Sequence, residues 1–227
     1  MKNCIFRVFP FFVTIFISCS RVNNGSLNSL AALYGGKFSV EDGTRISISN
    51  GKEKYVKLTS ENNMLIRDGW LSPESMANNC AILLTKSNSE IAKEKDFLEI
   101  EISNAKKTYR FSKQDLNELN RDYNLAENFV IRFVKLVKSN DLNRAKSLIE
   151  IAPKISEDDI TASLLTFKSS IFPNHIDTKL IGYRLINETE RGFVIDGLLI
   201  AEDETKRLFN VTLVTVNDSL KLRGISF

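Results

Sequence analysis

Between Leu116 and Val137, apolar residues recur at Leu116, Leu119, Tyr123, Ala126, Val130, Phe133 and Val137, in alternating steps of three and four. That spacing puts them on one stripe of a helix more than five turns long, which has to be buried against other elements. Ser112-Lys113-Gln114-Asp115 supplies a capping box at its start. Asn140-Asp141 caps a second, short helix with Leu142, Ala145, Leu148 and Ile149 inward, stopped by Pro153. Ser156-Glu157-Asp158-Asp159 opens a third helix carrying Ile160, Leu164, Phe167 and Ile171, which ends before Pro173. Beyond Pro173 the apolar period falls to two, and strands are expected at about 177–187, 192–201, 206–216 and 219–227. The carboxylates Glu157, Asp158 and Asp159 are explained by the exposed amides and dipole of a helix N-terminus.

The preceding stretch reads as a separate small module, residues 37–111. Thr44 to Ile48 and Tyr55 to Leu58 alternate on either side of Asn50-Gly51, a hairpin signal because both turn positions need positive φ. Ser72-Pro73 is an N-cap followed by proline at the first helical position, with Met76, Cys80, Leu83 and Leu84 at helical spacing behind it. Phe97 to Ile102 and Thr108 to Phe111 form a second hairpin around Asn104. The fold class is therefore α+β: a small β-β-α-β-β module, its helix covering one face of an antiparallel sheet, then a three-helix, four-strand antiparallel domain over residues 112–227.

That second domain resembles the nuclear transport factor 2-like superfamily, a cystatin-like cone. The segment from Phe129 through Asn140-Asp141 to Ile149 has its opening pattern of helix, polar break and short helix. The resemblance implies a curved sheet and helices that can enclose a pocket, where the enzymes of the superfamily place acid, base and amide groups.

At the other end, Lys2 and Arg7 precede an apolar run from Val8 to Ile17, after which Ser18 and Cys19 follow. A run of this length suits a cleaved export signal and is too short for a spanning helix. Phe16-Ile17-Ser18-Cys19 resembles the lipobox of bacterial lipoproteins, with phenylalanine in place of the commoner leucine. The resemblance implies removal of residues 1–18 and acylation of Cys19, with palmitate among the expected acyl chains. It places the chain in the cell envelope, anchored to a membrane. Serine rather than aspartate after Cys19 favours the outer membrane in a diderm. Residues 19–36, with Gly25, Ser26, Asn28 and Ser29, read as a polar tether.

Processing would take Lys2 and Arg7 from a precursor of net charge +3, leaving a nearly neutral chain. Both halves are close to neutral, which argues against a nucleic-acid partner. Cys4 would leave with the signal and Cys19 would be acylated, so Cys80 has no disulfide partner and reads as a core residue. With one histidine and one remaining thiol, no metal site is expected, and no cofactor motif occurs.

One residue interrupts the apolar pattern of the second domain: Asp196, within Phe193 to Ile200. Val194, Leu198 and Ile200 share its face, and Asn210 and Thr212 on the next strand could approach it. One reading is a carboxylate with raised pKa in an apolar cavity, poised as a general base. The simpler and preferred reading sets that face outside the cone or at its rim, with Asp196 solvated or paired with Arg184. His175, the only histidine, could partner Asp177 or Asp196 and reads more simply as a surface residue at the helix–sheet junction. Trp70, just ahead of Ser72-Pro73, reads as a staple for the helix start or, less readily, as a stacking platform. The favoured function is non-catalytic: binding an envelope protein or small apolar ligand at the membrane. A hydrolase, isomerase or dehydratase built on Asp196, or an accessory subunit of an envelope complex, are the alternatives.

Overall fold

The structure, a computed structural model, describes residues 24–47, 51–150, 155–171, 173–187 and 191–226. Cys19, Asn50 and Pro153 lie outside them, as does most of the 188–191 turn.

The first sheet has the order β1 (Lys37–Ser47), β2 (Gly51–Glu61), β3 (Phe97–Ile102), β4 (Lys107–Ser112). The β1–β2 and β3–β4 pairs are antiparallel as expected, and Gly51 sits at φ +69° in the first turn. The β2–β3 pair is parallel, which corrects the expected all-antiparallel sheet. The cause is the long crossover between them, through α2 (Met64–Arg67), α3 (Pro73–Ser87) and α4 (Ser89–Glu94), which carries the chain back to the end where β2 began. Strand periodicity carries no information on that direction.

Both predicted capping boxes form. In α5 (Lys113–Lys138), Ser112 accepts from the Asp115 amide while the Asp115 carboxylate accepts from the Ser112 amide. Ser156 and Asp159 do the same for α7 (Glu157–Ser170). The short α6 (Leu142–Ser147) is capped by Asp141. Strands β5 (His175–Asn187), β6 (Arg191–Ala201), β7 (Lys206–Val216) and β8 (Ser219–Ser226) follow in an antiparallel meander. Asn217 and Asp218 both have positive φ in the last turn, where short Asx side chains tolerate it.

Residues 24–34, expected to be part of a polar tether, instead form helix α1 (Asn24–Tyr34). Leu30 and Tyr34 are each 2% exposed, so tertiary burial holds a helix too short to be stable by itself.

The second sheet is covered on both faces. Phe193, Ile195, Leu199, Val211 and Leu213 pack under α5 and α7 with Phe133 and Phe167. Ile181 and Leu198 belong instead to the cluster of α1, α3 and the first sheet, with Leu30, Met76, Cys80 and Leu84. Helix α3 is thus shared: Ile82 joins the first cluster while its other buried apolar residues join the second. Cys80 is fully buried, and burial pushes its thiol well above the usual range, as a core residue requires.

The two halves meet at a defect in an edge strand. A β-bulge between Leu180 and Gly182 in β5 disturbs its ladder, and an interrupted edge exposes backbone carbonyls. Tyr34 Oη donates to Ile181 O at 2.9 Å, Asn78 Nδ2 to Tyr183 O at 2.9 Å and Asn79 Nδ2 to Leu180 O at 3.2 Å. Asn79 Nδ2 also donates to Tyr34 Oη. Tyr34→Phe strands a buried carbonyl and should lower stability by about 1–3 kcal/mol, read as a drop of about 2–4 °C in Tm per kcal/mol. An unchanged urea midpoint would mean that α1 is held by apolar contact alone.

Candidate functional site

Along β6 the odd-numbered Phe193, Ile195 and Leu199 face the α5–α7 helices, so Asp196 and Leu198 face α3. Asp196 therefore stands on the outer face of the second sheet, under the first module, and not inside the helix–sheet cavity. The general-base reading had assumed the interior of that cavity, and the structure puts Asp196 elsewhere. The interior is filled by packed rings, with Phe133–Phe167 centroids 5.7 Å apart and Tyr183–Phe193 centroids 5.6 Å apart.

Asp196 pairs with Asn210 across the β6–β7 ladder, and Asn210 Nδ2 donates to Asp196 Oδ1 at 2.8 Å. From the other side the Ser75 hydroxyl in the first turn of α3 acts on the same carboxylate and lowers its pKa. Ser75 is itself held: its amide donates to Ser72 Oγ at 3.1 Å, and the Ser72 hydroxyl donates to Ser75 Oγ at 2.9 Å. The N-cap of α3 thus aims a hydroxyl at a carboxylate on a distant strand. Gly182 makes the approach possible, since a Cβ there would lie 2.5 Å from Asp196 Oδ2 and 2.6 Å from Leu71 Cδ1.

The loop between α2 and α3 sets the rim. Gly69 adopts φ +75°, and the Trp70 and Leu71 amides both donate to Leu65 O, at 2.9 and 3.1 Å. This tight turn sends Leu71 inward at 3% exposure and leaves Trp70 at 65%. Trp70, Asp196, Leu208, Phe209, Asn210 and Ser226 line a half-open cleft of ≈ 220 Å³. Burial raises the Asp196 pKa; the Asn210 and Ser75 bonds and the charge of Arg184 oppose that rise. Arg184 is exposed, and among the described residues Asp196 forms no ion pair with it.

The other sequence candidates do not converge on this cleft. Thr212 pairs with Val194, further along β7, and is not part of the lining. His175 pairs with Ala201 at the far end of the β5–β6 ladder and lines a separate groove with Ile131, Lys138, Ile176 and Asp177. Its Nε2 lies 3.0 Å from Thr178 Oγ1. Burial and the Lys138 charge lower its pKa, against Asp177. No His175–Asp196 pair is assembled. Trp70 in the lining and Ser75 behind Asp196 are the residues that the periodicity of the second domain could not supply. The one available signal was a tryptophan two residues ahead of an N-cap.

No protein-family model matches the chain, and no curated protein matches it. Among solved structures it is similar to a Campylobacter jejuni protein named as an NTF2-like transpeptidase, at 15% identity and a TM-score of 0.35. The likeness covers 44% of this chain and 97% of that one.

Because the folded-state pKa of Asp196 is raised above the ordinary 3.8, its neutral form fits the fold better than its anion. The stability it contributes is present below pH 3.8 and is lost as pH rises through the raised value. Asp196→Asn should remove that loss and be at least as stable as wild type at neutral pH, by thermal unfolding across pH. A variant clearly less stable at neutral pH would show that the anion is well compensated.

Proposed function

We propose that this is an exported lipoprotein held on a membrane by acyl chains on Cys19, whose folded part is a non-catalytic binding unit with its ligand seat at the Trp70–Asp196 cleft. The order basic head, apolar run, small residue, cysteine supports the anchor. Residues 112–227, with three helices before a four-strand antiparallel meander, keep the element order of the nuclear transport factor 2-like superfamily.

One observation carries the choice of binding over catalysis. The groups acting on Asp196 are the Asn210 amide, the Ser75 hydroxyl and the Arg184 guanidinium. None of them exchanges a proton at ordinary pH, and among the described residues no second acid or base lines the cleft with Asp196, as an acid–base pair would require. A carboxylate fixed between two neutral donors and facing a cleft instead suits recognition by hydrogen bonding and charge.

Two measurements test this. Cys19→Ser should abolish incorporation of labelled palmitate, and retained label would overturn the anchor. Native mass spectrometry of protein extracted in mild detergent should show a small-molecule adduct that Trp70→Ala loses. An adduct indifferent to Trp70 would place binding elsewhere.

A further inference from the structure

We propose that the cleft takes a small organic cation, with an ammonium or guanidinium head on the Asp196 carboxylate and an apolar body against Trp70 and Leu208. This rests on reading the cleft as a binding site.

The charge of the ligand follows from what Asp196 lacks. An ionised carboxylate can accept about four hydrogen bonds, and the protein supplies donors from Asn210 and Ser75. Both donors are neutral, and among the described residues no cation sits within ion-pair distance of Asp196. A half-buried anion in that position is stabilised by any cation that enters. An anionic ligand would meet the same carboxylate, and among the described residues no lysine or arginine lines the cleft to offset it.

The rim agrees. Trp70 is 65% exposed, yet its backbone is held in place by the bond to Leu65 O. An indole face attracts cations more strongly than other aromatic faces do. Leu208 and Phe209 add apolar wall, which favours an alkyl or aryl amine over a heavily hydroxylated ligand. At ≈ 220 Å³ the space suits a short amine or one amine-bearing side chain, since pockets for drug-sized molecules start at about 300 Å³.

Trp70 is the only tryptophan in the chain, so its emission reports on this cleft alone. The full-length protein in detergent is titrated with butylammonium chloride, butanol and sodium butyrate at constant ionic strength. Butylammonium is expected to change the emission saturably, butyrate to leave it unchanged and butanol to act more weakly. Asp196→Asn should weaken butylammonium binding by about tenfold or more, since it removes the charge that the ammonium pairs with. Trp70→Phe, at an exposed position and read by calorimetry, should also weaken it. Equal responses to butanol and butylammonium, or Asp196→Asn binding butylammonium like wild type, would overturn the cation. So would the absence of any response to butylammonium. The Trp70-dependent adduct then decides separately whether the cleft binds at all.

Discussion

The three hydrogen bonds from Tyr34, Asn78 and Asn79 to the carbonyls around the β5 bulge are the contact on which the rest of the arrangement depends. Apolar packing between α3 and the second sheet is non-directional and would tolerate sliding. Amides aimed at particular carbonyls do not, because a shift of one residue would leave buried polar groups without partners. The bulge supplies the irregular edge and the first module supplies donors to fit it. Once α3 is fixed in register, Ser75, Leu71 and Trp70 have only one place to go relative to β6. The seam therefore sets the geometry of the cleft, although no seam residue lines it.

Local signals were legible where local energetics dominate. The stripe from Leu116 to Val137, the capping boxes at Ser112 and Ser156 and the period-two strands after Pro173 appear close to where the sequence puts them. Elements decided by distant contacts were not. Gly25, Ser26, Asn28 and Ser29 look like a tether because helix α1 is held by Leu30 and Tyr34 against residues far along the chain. The direction of β3 was hidden because alternation is the same in parallel and antiparallel strands.

Asp196 shows the same limit at the site. Period two identifies its face-mates and its neighbour Asn210, and both hold. It cannot say which face points where when helices cover both sides of a sheet. The covered-cavity reading took the helices of the second domain as the cover, whereas the cover over Asp196 comes from α3, more than a hundred residues earlier in the chain. Trp70 and Ser75 were out of reach for the same reason, since nothing local links that loop to β6.

Placing a carboxylate at this junction has a physical consequence. Leu71, Leu198 and Leu208 surround the position, and an apolar side chain would bury there without the desolvation that raises the Asp196 pKa. Replacing buried charges by apolar groups of similar volume is commonly neutral or stabilising. The fold nevertheless gives this carboxylate an amide from β7, a capped hydroxyl from α3 and a glycine opposite to make room. Three elements converge to hold a group that packing alone would reject. That arrangement is what the proposed binding seat would need, and the open side of its cleft is where Trp70 stands exposed.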